Sequence, residues 1–139
     1  MFEWFKIAAF ENYANFKGRA RRKEYWYFTL VNVLIMMAIF GSAEVFFEGG
    51  MDDPNEIFLG IFGVYFLIML IPTIAVTVRR LHDINKSGWF YLVSFIPYAG
   101  GIWMLVLTVT EGTRGTNKYG PDPKRPLNEI DEIGLVETE

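Results

Sequence analysis

Three apolar runs, residues 25–47, 57–78 and 89–110, divide the chain, and almost all of its charge lies between and around them. Only Glu44 interrupts the first run, and neither the second nor the third contains a charged residue. Each run is about 22 residues, enough as a helix to cross the roughly 30 Å hydrocarbon core of a bilayer. Three such runs in one short chain are hard to read as the core helices of a soluble bundle. Ahead of them, residues 1–16 place Phe2, Phe5, Ala9, Tyr13 and Phe16 at helical spacing, the pattern of a short amphipathic helix lying in the membrane interface.

The polar segments assign sides to these runs. KGRARRKEYW (17–26) carries five basic residues and ends in Tyr25 and Trp26, the order that the boundary between water and lipid favours. EGGMDDPNE (48–56) carries four acids and no base; its Gly-Gly pair and Pro54 break the helix, and Asp53 or Asn55 is placed to cap the next one. By the positive-inside rule the N-terminal segment is cytoplasmic and the acidic loop faces away. The second run then returns the chain, so RRLHDINKSG (79–88) is expected beside the first basic cluster.

The third run is ambiguous because SFIPYAGGIW (94–103) puts Pro97, Gly100 and Gly101 at mid-depth. One reading is a single kinked span; the other is a re-entrant hairpin with both arms on the cytoplasmic side. Positive-inside counting favours the hairpin, since Arg114, Lys118, Lys124 and Arg125 would otherwise lie outside. The short arms and the turn backbone at membrane depth favour the span, toward which this reading leans.

Length and composition add limits. At 139 residues the chain suits one domain, and its 52% hydrophobic content is only slightly above a soluble average, so the layout is what discriminates. The same holds for charge: the formal total of -3 says little, whereas its segregation sets orientation. The first run is too long for a cleavable signal peptide and reads as a retained anchor. Without cysteine there is no disulfide, thiolate nucleophile or Cys-bound metal. The fold expected is therefore all-α, an integral membrane helical bundle of three apolar segments with an N-terminal interfacial helix. Residues 1–125 form a single membrane domain, and 126–139 an acidic tail expected to be disordered.

Candidate chemistry concentrates in VRRLHDINKSGWF (78–90). His82 and Asp83 are sequence neighbours, which on a helix point about 100 degrees apart, so they do not make a base and its orienting partner. A lone histidine has no second imidazole or thiolate to complete a tetrahedral metal site. Neither catalysis nor a cofactor is expected. Asp83 follows Arg79 by four residues and Arg80 by three, and Glu24 opens the first run, so Glu24 and Asp83 are read as structural ion-pair partners of these arginines.

The remaining cations, Arg19, Arg21, Arg22, Lys23 and Lys86 with one of Arg79 or Arg80, then form a basic face flanked by Trp26 and Trp89. Such a face suits anionic lipid or a membrane partner protein, a second copy included, at about 1 kcal/mol per basic residue near the membrane. Specific nucleic-acid binding is not expected, because no reading motif accompanies the charge. The alternative is a subunit of an oligomeric transporter or channel. Asn32, Tyr65, Thr73, Thr77 and Ser94 are its intramembrane polar groups, and Pro72 and Pro97 its helix breaks.

Five ordered motifs, FKGRARRKEYW (16–26), RRLHD (79–83), SGW (87–89), IP (96–97) followed by Gly100, and NKYGPDP (117–123), resemble one known group. These are the small bacterial inner-membrane proteins of domain-of-unknown-function family 805, the YhaH-like proteins. The resemblance implies a multi-span helical protein of the bacterial inner membrane and carries over no catalytic residue. The acidic tail beyond Arg125 departs from the pattern.

Overall fold

The computed structural model describes residues 2–48 and 54–124, and side chains outside 43–56. Every helix or strand element among them is helical. Helix α1 (Phe2–Lys6) runs on as a π-helical turn (Ile7–Glu11), followed by α2 (Arg22–Glu48), α3 (Pro54–Asp83), a 3-10 helix (Gly88–Phe95) and α4 (Ala99–Val109). The expected caps Asp53 and Asn55, the side chain of Glu44 and the acidic tail lie outside the described residues.

Helices α2 and α3, 27 and 30 residues long, pack antiparallel. Arg79 meets Glu24, Tyr65 meets Asn32, and Phe62 meets Phe40 along the pair. At 1.5 Å per residue they reach about 40 and 45 Å, so α3 overshoots a hydrocarbon core of roughly 30 Å. The overshoot is the last turn, with Arg79, Arg80, His82 and Asp83. A left-handed Asn85 (φ 59) ends it. The Lys86 N–H bonds the Leu81 carbonyl at 2.9 Å, and the Asn85 N–H bonds that of His82 at 3.0 Å. That is the six-to-one and five-to-two pairing of a Schellman stop, with asparagine in the position glycine usually holds.

Pro72 sits inside α3 and cannot donate to the carbonyl of Ile68 one turn back. Tyr13 replaces the missing donor, its hydroxyl reaching that carbonyl at 2.7 Å. The helix therefore continues through the proline, supported from the N-terminal segment. That segment is helical to Glu11 rather than to residue 16, because the chain turns at Asn12, whose N–H closes on the Ile7 carbonyl at 2.9 Å. Its small residues Ala8 and Ala9 pack against Ala20, Phe28 and Val76, and Phe5 stacks on Phe28 at 5.6 Å. Of the aromatic face expected in lipid, Phe2 and Phe16 are exposed, while Phe5 and Ala9 face the bundle and Phe10 points outward instead.

The third apolar segment takes the hairpin form, against the lean toward a single span. The 3-10 helix and α4 pack on each other, joined by a turn in which the Ala99 N–H bonds the Pro97 carbonyl at 2.7 Å across Tyr98 (φ 64). Gly100 lets the arms close: a Cβ there would lie 2.7 Å from the Ser94 carbonyl oxygen. Both ends of the hairpin meet the C-terminal end of α3. Gly88 abuts Val78, and Arg80 Nε donates to the Thr108 carbonyl at 3.0 Å. The short arms that counted against this form are satisfied locally, with the Ile96 and Gly100 N–H groups bonded to Val93 and Ile96 carbonyls.

Candidate functional site

Three polar segments distant in sequence, 17–24, 79–86 and 111–124, converge where α2 begins and α3 ends. Asp83 stands at the centre. It accepts from Arg19 Nε at 3.0 Å on one carboxylate oxygen and from Arg80 Nη1 on the other. Arg80 is fully buried and spends its remaining donors on the carbonyls of Thr108, Thr110 and Ala20. Arg19 reaches the carbonyls of Gly115 at 2.6 Å and of Thr113. Two guanidinium groups share one carboxylate, and backbone oxygens of the returning chain supply the rest of the negative potential.

Asp83 also holds the loop through its main chain, its carbonyl accepting from the Thr113 N–H at 2.8 Å and hydroxyl at 3.0 Å. Asn117 links the Thr113 hydroxyl to the His82 carbonyl at 2.8 and 2.9 Å. A Cβ on Gly112 would lie 2.6 Å from Asp83 Cγ, so only glycine admits the carboxylate there. Asp122 closes the loop by accepting from the N–H groups of Lys124 at 2.9 Å and Gly115 at 3.2 Å. Burial alone raises its carboxyl, but those two N–H groups and the nearby Arg19 outweigh it and hold it below its ordinary value.

The second buried pair is Arg79 with Glu24, at 2.6 Å. Nε and Nη2 of Arg79 are sealed from solvent without a hydrogen-bond partner in the protein, so Glu24 carries that cation. Ion pairing of Arg79 and Arg80 with Glu24 and Asp83 thus follows the expected partners, divided one to each. The expected open basic face needs correction: Arg19, Arg79 and Arg80 are 9%, 4% and 0% exposed, because their charge is consumed in holding the three segments together.

The other expected contact residues divide by what they touch. Arg21 bonds the Pro123 carbonyl and lies 5.9 Å from the Trp4 ring, and Arg22 bonds the Val109 carbonyl at 3.0 Å and faces Glu111 at 3.9 Å. Lys23, Lys86, Trp26 and Trp89 are exposed, Lys86 lying 5.5 Å over the Phe90 ring. His82 is separate from Asp83 in function as well as direction: its Nδ1 faces the Gly18 carbonyl at 3.2 Å, and its ring stacks on Tyr119 at 3.8 Å. The pattern of apolar and charged positions does not predict the docking of 111–124; Asn117, Gly120 and Asp122, the turn formers of NKYGPDP, are its signal in the sequence.

The intramembrane polar groups are spent within the bundle. Asn32, Thr73 and Thr77 donate to carbonyls four residues back, Ser94 to the Tyr91 carbonyl, and the Tyr65 hydroxyl to Asn32 at 2.6 Å. Away from the clasp formed by segments 17–24, 79–86 and 111–124, only 11% of the apolar window of α2 and 6% of that of α3 is buried. A soluble core would bury these faces; leaving them bare on both long helices is the surface of a protein solvated by lipid.

The chain is thus a helical membrane protein, tied at one end by buried arginines. It belongs to the family described as Protein of unknown function (DUF805), whose model matches residues 13–121, a stretch running from Tyr13 through the docked loop. It is 41% identical over 122 residues to Inner membrane protein YhaI of Escherichia coli (strain K12), covering 88% of this chain and 96% of that relative. Inner membrane protein YhaH of the same strain is 37% identical over 122 residues, with 88% and 97% covered. Uncharacterized protein YiiR is 31% identical over 133 residues. No solved structure matches the chain.

Proposed function

We propose that this protein is a noncatalytic component of the bacterial inner membrane whose basic cytoplasmic face engages anionic lipid, alone or beside a membrane protein partner. In this reading α2 and α3 span the bilayer, the hairpin of 88–109 enters and leaves on one side, and the N-terminus is cytoplasmic. The observation that carries it is the charge at the clasp. Segments 17–24, 79–86 and 111–124 hold eleven Lys and Arg residues against four carboxylates, Glu24, Asp83, Glu111 and Asp122. The hairpin brings Arg114, Lys118 and Lys124 to the same end as the first two clusters, which removes the conflict with positive-inside counting. Against catalysis, the His82 ring is engaged by the Gly18 carbonyl and Tyr119, and the Asp83 carboxylate by Arg19 and Arg80. The transporter alternative rests on the Asn32–Tyr65 contact, and flux above empty vesicles that is lost in Asn32→Leu would favour it.

Two measurements test the reading. In the cysteine-free chain, Asn85→Cys and Thr116→Cys are both expected to label only from the cytoplasmic side; labelling of Thr116→Cys from the opposite side overturns the topology. Native mass spectrometry of the purified protein is expected to retain phosphatidylglycerol over phosphatidylcholine. Equal retention overturns the lipid role.

A further inference from the structure

Beside the clasp lies an apolar groove of about 480 Å³. Its walls are Phe16, Ile74, Val78 and Leu92, and the stacked rings of His82 and Tyr119 close its polar end. Ile74 is eight residues from His82 on α3, so the groove runs about 12 Å down the helix from the clasp. Leu92 and Trp89 are 55% and 77% exposed, so its open side faces the same surroundings as the bare faces of α2 and α3. Its length of about 12 Å beside α3 and its apolar walls suit part of one acyl chain lying along the helix.

The rim supplies the complementary charge. Lys17, Lys86 and Lys118 each adjoin a lining residue, Phe16, Ser87 and Tyr119. Lys118 Nζ lies 4.9 Å from the Tyr119 ring centre and Lys86 Nζ 5.5 Å from that of Phe90. Among the described residues none of the three pairs with a carboxylate, whereas Arg19, Arg22, Arg79, Arg80 and Lys124 all do. Three exposed lysines without a carboxylate partner thus neighbour in sequence the residues of an apolar slot that opens sideways, Lys118 lying against the Tyr119 ring of its lining, and an apolar slot beside free positive charge suits a phospholipid.

Building on the proposed lipid role, we infer that this groove is a binding site for one anionic phospholipid, with an acyl chain along Ile74 and Leu92 and the phosphate among Lys17, Lys86 and Lys118. The site is displaced from the buried arginines to the lysines, because exposed ammonium groups keep their charge available while the guanidinium groups of Arg19, Arg79 and Arg80 are spent. Each lysine near the membrane surface is worth about a fivefold preference for an anionic lipid.

Changing Trp4, Trp26 and Trp103 to Phe leaves Trp89 as the sole reporter at the groove. In vesicles, brominated-chain phosphatidylglycerol is expected to quench Trp89 more strongly than brominated phosphatidylcholine at the same mole fraction. Lys17, Lys86 and Lys118 changed together to Gln should lower that selectivity at least about tenfold, whereas the same positions changed to Arg should keep it. Ile74→Phe with Leu92→Phe fills the groove and should abolish the excess quenching. If that variant misfolds, the two exposed lysine sets decide alone. Equal quenching by the two lipids, or selectivity untouched by the Gln set, overturns the site. When native mass spectrometry still shows retained phosphatidylglycerol, that failure falls on the groove alone; when it shows none, the proposed lipid role fails with it.

Discussion

Changing Asp83 to Asn keeps the side chain's shape and one acceptor oxygen but removes the single negative charge shared by two buried guanidinium groups. Arg19 bonds it through Nε at 3.0 Å and Arg80 through Nη1, and both cations are sealed from solvent. In the native protein the pair carries one uncompensated positive charge, offset by carbonyls of Thr108, Thr110, Thr113 and Gly115. Asp83→Asn raises that to two. Stranding a buried charge in this way costs about 3–5 kcal/mol. Arg19→Gln is the opposite perturbation: it leaves Asp83 neutralised by Arg80 and gives up hydrogen bonds to the loop, at about 1–3 kcal/mol. Asp83→Asn is therefore expected to be the more damaging, and the double variant to cost less than the sum by at least about 1 kcal/mol. Unfolding of the purified protein in mixed micelles by increasing dodecyl sulfate, followed by circular dichroism, measures all three, and trypsin cutting after Arg114 and Lys118 reports release of the loop. An Asp83→Asn cost below about 1 kcal/mol, or additive single variants, would refute the claim that the clasp is a coupled charge cluster.

Two further outcomes follow from local contacts. Tyr13→Phe orphans the Ile68 carbonyl beside Pro72 and should cost about 1–3 kcal/mol; Pro72→Ala restores the helical N–H and should cancel most of that loss, as read by the same unfolding assay. Because the Asp122 carboxyl is held below its ordinary value of 3.8, its contribution to loop docking is fully present above that pH and is lost as pH falls through the lowered folded value. Amide resonances of Gly115 and Lys124 should shift with a midpoint below 3.8 in the native protein and stay flat in Asp122→Asn.

The parts of this molecule that were legible in its sequence are those set by solvent. Lipid solvation demands long uncharged helices, so the runs 57–78 and 25–47 announced α3 and α2, and the same demand put Arg79, Arg80 and Asp83 on one turn at a water boundary. Helical spacing sufficed to name Asp83 as a partner, and the return of the second run beside the start of the first to name Glu24. What the pattern did not contain was how the chain folds back. Whether 89–110 crosses or returns depends on Gly100 admitting the Ser94 carbonyl and on carbonyls 108 and 110 being needed by Arg80, a requirement only the assembled end expresses. The same closure reversed the reading of the arginines. In sequence they look like a surface, since nothing local shows that a loop about thirty residues downstream of Arg80, the 111–124 stretch, will cover them. Once covered, a guanidinium group with its planar fork suits bonding to several carbonyls at once, whereas an ammonium group, compact and strongly hydrated, stays outside. The division between the buried arginines Arg19, Arg79 and Arg80 and the exposed lysines Lys17, Lys86 and Lys118 thus has a chemical basis. For that reason the proposed phosphate contact falls to exposed lysines and not to the buried arginines.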